Sequence, residues 1–201
     1  MDYYNDLITD RSWKQLQKLQ KELNFVLIGG WATYLYSQTL KSKDIDIIID
    51  FDTLGVIQKK YSLSKNDRLN KYEIHLEGID VDIYLPHYSS LGIPVEDLLP
   101  YTTNLQGFKV LQIDYLFVLK LYTLSRRGRS SKGRKDFIDL LSLFTQAQVN
   151  IAQVGQIITK YNLPSVLFPF KQMLIENSLI PELELNQHEY AKIKKEIENI
   201  L

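Results

Sequence analysis

Apolar positions follow two rhythms along this chain. Through the first half they come in short runs or strict alternations, at Phe25 to Ile28, Ile45 to Ile49, Tyr72 to Leu76, Ile79 to Leu85 and Phe108 to Gln112. Such runs, bounded by Gly, Pro and Asp, predict β-strands. Glu77-Gly78 between two alternating runs predicts a tight hairpin. In the second of these runs Ile79, Val81 and Ile83 face one side, while Asp80, Asp82 and Tyr84 face the other. The polar N-terminal segment MDYYNDLITDRSWKQLQKLQKELN has a helical pattern. From Asp114 onward the period is helical throughout, predicting helices near 114–126, 135–146, 150–161, 165–178 and 187–200, with Pro164 and Pro181 as punctuation. The expected class is α/β in the broad sense (α+β): a mixed sheet with helices over 1–112, then a helical bundle over 113–201. No repeat or low-complexity linker separates them, so a functional cleft is expected where the two lobes meet.

Composition narrows the setting. At 201 residues with 45% hydrophobic content, the chain can bury a sizeable core. With no cysteine, disulfides and thiolate metal sites are excluded, and the three histidines, His75, His87 and His188, are too scattered for a zinc cluster. No apolar stretch is long enough to span a membrane, and the N-terminus lacks the apolar core of a signal peptide, so a cytoplasmic protein without membrane partners is expected. A formal charge of zero means that any nucleic-acid contact must rest on a local patch.

The richest segment is FVLIGGWATYLYSQTLKSKDIDIIID, Phe25 to Asp50. Gly29-Gly30 is expected to turn a buried strand into a helix beginning near Trp31, and without Cβ atoms the glycines let a phosphate approach backbone N–H groups at the positive helix end. Asp44 and Asp46 then lie two apart on the expected strand from Lys43 to Ile49, on one face, with Cα atoms roughly 6.5 Å apart. Two such carboxylates can hold a pair of magnesium ions about 3.5–4 Å apart. Otherwise they are the solvated face of an edge strand. A third carboxylate comes from Asp82, with Asp80 in reserve, to complete a metal cage or act as base toward a hydroxyl.

The second half adds cations. Lys120 interrupts the apolar run Leu116 to Leu121, so it needs an anionic partner, a phosphate or a site aspartate, unless it snorkels at a helix edge. Arg126, Arg127, Arg129, Lys132, Arg134 and Lys135, interspersed with Gly128, Ser130, Ser131 and Gly133, read as a flexible basic loop suited to a triphosphate or RNA backbone, or simply to water. Asp136 is expected at the start of the following helix, where it can cap N–H groups whether or not it does chemistry. Tyr84, Tyr88 and Tyr122 could stack a base or serve in packing.

A glycine pair opening a helix, a D-x-D motif on the next strand and a later strand carboxylate resemble the nucleotidyltransferase superfamily with the DNA polymerase β-like fold. Gly29, Gly30, Asp44, Asp46 and Asp82 carry that resemblance. Leu116 to Phe144, with Lys120, Asp136 and Asp139, is similar to the lysine and K/R-D-x-x-D motifs of AbiEii/MenA-type nucleotidyltransferases. The likeness extends from about Leu23 to Phe144 and departs from the polymerase-like pattern in having a second glycine where serine is common. It implies a mixed-sheet nucleotidyltransferase core that uses Mg2+, or Mn2+, to transfer a nucleoside monophosphate from an NTP to an acceptor hydroxyl. Asp44, Asp46 and Asp82 would be the metal ligands, with Asp44, Asp46, Asp82, Lys120 and Asp136 catalytic. Gly29, Gly30, Lys120, Arg126, Arg129 and Lys132 would bind the nucleotide. The resemblance further implies a tRNA 3′ end as acceptor, a toxin-like or defence role, and a cognate antitoxin as partner. Transfer to a small molecule such as an aminoglycoside, transfer to a protein hydroxyl, and a non-catalytic binding module are the competing readings.

Overall fold

The computed structural model describes residues 6–200, so the first five residues of the expected N-terminal helix lie outside the described residues. The chain divides into two compact units, one ending at Gln112 and the other beginning at Ile113.

The first unit contains strands β1 (Val26–Ile28), β2 (Ile45–Ile48), β3 (Leu63–Asn66), β4 (Lys71–Leu76), β5 (Ile79–Tyr84), β6 (Thr102–Leu105) and β7 (Phe108–Leu111). Its helices are α1 (Asp6–Glu22), α2 (Gly29–Ser37), α3 (Phe51–Lys60) and the single turn α4 (Val95–Leu98). The strands form one sheet in the order β3-β4-β5-β2-β1-β7-β6. It is mixed: β2 runs parallel to β5 and β1 parallel to β7, while the remaining neighbours are antiparallel. The fold class is therefore the expected one.

Sequence dictates these elements locally. Leu27, Ile45, Ile47, Val81, Ile83 and Val110 are all at or below 1% exposure and stand in register, so the central strands bury one common face. Glu77 and Gly78 both have positive φ, 50° and 85°, the requirement of the two-residue turn that twists with its strands. Helix α2 is anchored by Trp31, whose indole N–H donates to Ser12 Oγ at 2.8 Å, with Trp13 of α1 tilted against Trp31 and against Phe108 of β7.

Four elements had no counterpart in the sequence expectation: α3, β3, α4 and β6. Asp50 caps α3, accepting from the Thr53 N–H at 2.7 Å. Strand β2 is shorter than expected, and Asp44 falls in a bend just before it. Helix α2 begins at Gly29 itself, two residues ahead of Trp31.

The second unit contains α5 (Ile113–Arg127), α6 (Ser131–Gln146), α7 (Ile151–Lys160), α8 (Leu167–Glu176) and α9 (Gln187–Ile200), with Pro164 and Pro181 each opening a single 3₁₀ turn. The expected basic loop is a correction. Ser130 accepts from the Gly133 N–H at 3.1 Å and starts α6 at Ser131, so Lys132, Arg134 and Lys135 are helical and Asp136 lies more than a turn inside rather than at the cap. The turn between α5 and α6 is close because Gly133 has no side chain; a Cβ there would overlap the Gly128 carbonyl. Among the described residues, no helix is long and apolar enough to cross a membrane.

Candidate functional site

Gly29 sits where β1 passes into α2 with φ of 67°, a left-handed conformation that suits glycine. The antiparallel register sets Asp46 opposite Ile28, and the Asp46 carboxylate lies against the Gly29 Cα, in space that a Cβ would occupy. The glycine thus seats an aspartate at the start of a helix, where backbone N–H groups favour negative charge. We expect Gly29→Ala to cost about 2–4 kcal/mol, because it combines unfavourable φ with overlap against Asp46. Urea unfolding measures it. Stability within a few tenths of a kcal/mol of the parent would show that Asp46 moves aside freely.

Asp82 stands in register beside Asp46, on the parallel strand β5. The two Cα atoms are therefore about 4.8 Å apart, with side chains on one face. The next strand continues the row, since Glu73 of β4 pairs with Asp82. Burial pushes the Asp82 carboxyl above its ordinary pKa, Lys71 opposes that, and the negative charges of Glu73 and Asp44 reinforce it. Lys71 Nζ reaches Asp82 Oδ2 at 2.5 Å and Glu73 Oε1 at 2.9 Å, and Asn66 Nδ2 donates to Glu73 at 2.9 Å. Asp80, the reserve carboxylate, is exposed and paired with His75 Nδ1 at 2.7 Å. Neither Lys71 nor Glu73 stands out in the hydrophobic and acidic pattern of the sequence.

These carboxylates supply only hard oxygen donors, the kind Mg2+ takes. Among the described residues, no three His, Cys, Asp or Glu side chains form a ready-made metal cage. Mg2+ does not require one, since it ordinarily takes one or two carboxylates and completes its shell with water and substrate phosphates. Asp44 and Asp46 are donors of that kind. A separate hollow of about 470 Å³ in this unit opens past the other ends of β1 and β2, lined by Asn24, Phe25, Ile49, Asp50, Leu99 and Lys109, and none of the candidate aspartates lines it.

Within the helical unit Lys120 and Asp136 meet in one ion cluster with Asp139. Lys120 Nζ lies 2.6 Å from Asp139 Oδ2 and 3.2 Å from Asp136 Oδ1, Arg127 Nη1 lies 2.7 Å from Asp136 Oδ2, and Lys135 Nζ lies 3.1 Å from Asp139 Oδ2. Lys120 has its anionic partners, and both are aspartates of α6. Burial alone would raise the Asp139 pKa, but Lys120 and Lys135 outweigh it and hold the carboxyl below its ordinary value. Arg129 pairs with Glu176, and Arg134 makes a forked pair with Glu182 at 3.0 to 3.2 Å. Arg126 and Lys132 are exposed and form no ion pair among the described residues. Of the tyrosines, Tyr84 is buried in the sheet and Tyr88 packs on Tyr72.

No protein-family model matches the chain, and no curated protein matches it. Solved structures do. JHP933 from Helicobacter pylori superposes with a TM-score of 0.52 at 12% identity, covering 97% of this chain and 95% of that one. Another H. pylori protein, provisionally titled a nucleotidyltransferase, superposes with a TM-score of 0.51 at 15% identity, covering 98% and 99%. An antigenic nucleotidyltransferase-like protein from Paracoccidioides brasiliensis gives 0.42 at 17% identity over 83% and 93%. The likeness to the two H. pylori structures is one of fold.

Proposed function

We propose that this chain is a Mg2+-dependent nucleotidyltransferase that moves a nucleoside monophosphate from an NTP to an acceptor hydroxyl. The observation that carries the reading is the Asp46 and Asp82 pair, in register on neighbouring parallel strands, with Asp46 seated against Gly29 at the start of α2. Asp44 and Asp46 would hold the ion, which when bound neutralises triphosphate charge and polarises the reacting phosphate. Gly29 and Gly30 place backbone N–H groups toward phosphate oxygens. Asp82 orients the acceptor hydroxyl and takes its proton, and pyrophosphate departs as the new phosphodiester forms.

For the acceptor we favour an RNA 3′ end, that of tRNA, in a toxin-like or defence setting with a cognate antitoxin. Support comes from the likeness of Leu116 to Phe144 to AbiEii/MenA-type enzymes and from the exposed Arg126 and Lys132. Lys120 and Asp136 contribute through the ion cluster that holds the half-exposed Arg127. Replacing Arg126 and Lys132 together by alanine should raise the Michaelis constant for RNA more than for NTP, and reduce the salt slope of RNA binding by about 1.5. Equal effects on both substrates would assign this surface to the triphosphate instead.

The direct test is incubation with each α-labelled NTP, Mg2+ and total tRNA, with and without chelator. Chelator-sensitive label on RNA supports the full reading and names the nucleotide. Label on protein, or on an added aminoglycoside, keeps the reaction class and replaces the acceptor. No label on any acceptor and no pyrophosphate would overturn the reading in favour of a binding module.

A further inference from the structure

The row Glu73, Asp82 and Asp46 sets three carboxylates abreast on three neighbouring strands, β4, β5 and β2. Like charges directly opposite one another destabilise a sheet unless a cation stands among them. The fold supplies one. Lys71 is on the same face of β4 as Glu73, two residues away, and its ammonium joins the Asp82 and Glu73 carboxylates at 2.5 and 2.9 Å. It is no loose surface contact, because Lys71 is only 8% exposed and Glu73 is held in turn by Asn66 of the edge strand β3.

We propose that Lys71 is a built-in cation of the nucleotide site, occupying Asp82 so that the site takes up one divalent ion with its nucleotide rather than the usual pair. The proposal rests on the nucleotidyltransferase reading and deepens it. An ammonium already bound to one Asp82 oxygen repels a divalent ion approaching the other, while the Asp44 and Asp46 side of the row lies a strand farther from Lys71. Lys71 thus acts as a positioning residue. It fixes the Asp82 carboxylate toward the acceptor, and it confines metal binding to the side that meets the triphosphate.

The test counts Mn2+ bound in the presence of α,β-methylene ATP, by the loss of the free-ion electron paramagnetic resonance signal. The unaltered chain should bind about one Mn2+ per nucleotide complex, and Lys71→Met about two. Lys71→Arg, which keeps the cation, should remain at about one, and Lys71→Met combined with Asp82→Asn should return to about one. Two ions on the unaltered chain, an unchanged count in folded Lys71→Met, or two ions on the double variant would each overturn the role of Lys71 while leaving nucleotidyl transfer standing. If Lys71→Met fails to fold, two ions on the unaltered chain or on Lys71→Arg would still overturn the role. Asp46→Asn separates the underlying reading, because Mn2+ affinity in the absence of nucleotide equal to that of the unaltered chain would remove the metal site on which both rest.

Discussion

Asp46→Asn should lower nucleotidyl transfer by roughly a thousandfold, about 4 kcal/mol of transition-state stabilisation, while leaving the sheet folded. Asparagine keeps the shape of the side chain, so the close fit against Gly29 and the pairing of Asp46 with Ile28 and Asp82 are retained. What is lost is one unit of negative charge at the point where charge on a divalent ion must be balanced. Removing a like charge from the row relieves repulsion on Asp82 but forfeits the favourable field at the start of α2, so thermal unfolding should stay within a few degrees of the parent. Asp80→Asn serves as the comparison. Asp80 is exposed and paired with His75, so its substitution should leave the rate within a few-fold of the parent. Initial rates with labelled NTP measure both, and comparable rates for Asp46→Asn and Asp80→Asn would defeat the assignment of Asp46. A fall in rate accompanied by loss of the circular dichroism of the folded chain would instead place Asp46 in folding.

Sequence alone foretold the junction of β1 with α2, because a glycine pair after an apolar run has few other uses. The hairpin of β4 and β5 was legible as well. Its two-residue turn fixes the register, so counting back from Glu77-Gly78 sets His75 against Asp80 and Glu73 against Asp82. The same count would have revealed Lys71 on the face of Asp82. The apolar alternation begins at Tyr72, so Lys71 lies outside the strand that the pattern marks. The in-register placement of Asp46 beside Asp82 had no local signal, since parallel neighbours separated by more than thirty residues are chosen by the packing of the whole sheet. Strands β3 and β6 escaped notice for a related reason. Each lies at an edge with only partial burial, and LSKN and TTNL show none of the apolar alternation that marks a buried face. The start of α6 was misplaced because Gly128 and Gly133 suggest a loop. In fact Gly133 is the small residue that lets the helix begin against the preceding turn.

Asp139→Ala should destabilise the helical unit by about 3–5 kcal/mol, the cost of leaving buried cations without their counter-charge. Asp139 is 1% exposed and receives both Lys120 and Lys135, themselves 7% and 8% exposed, so neither ammonium gains enough water to replace the lost carboxylate. Substituting Lys120 as well should recover part of the loss, because replacing both members of a buried pair by apolar groups is far less costly than removing one. The pH dependence has a definite sign. The folded-state pKa of Asp139 is depressed, so its stabilisation is fully present above the unfolded value of about 3.9 and is lost as pH falls through the lower folded value. The difference in stability between the parent chain and Asp139→Ala should therefore be constant from neutral pH down to about 5 and shrink below about 4. Urea unfolding of both chains across that range measures it. A difference under about 1 kcal/mol at neutral pH would mean that water or a rearranged Asp136 satisfies the lysines. The cluster would then be a reserve of charge open to a phosphate rather than a fixed brace between α5 and α6.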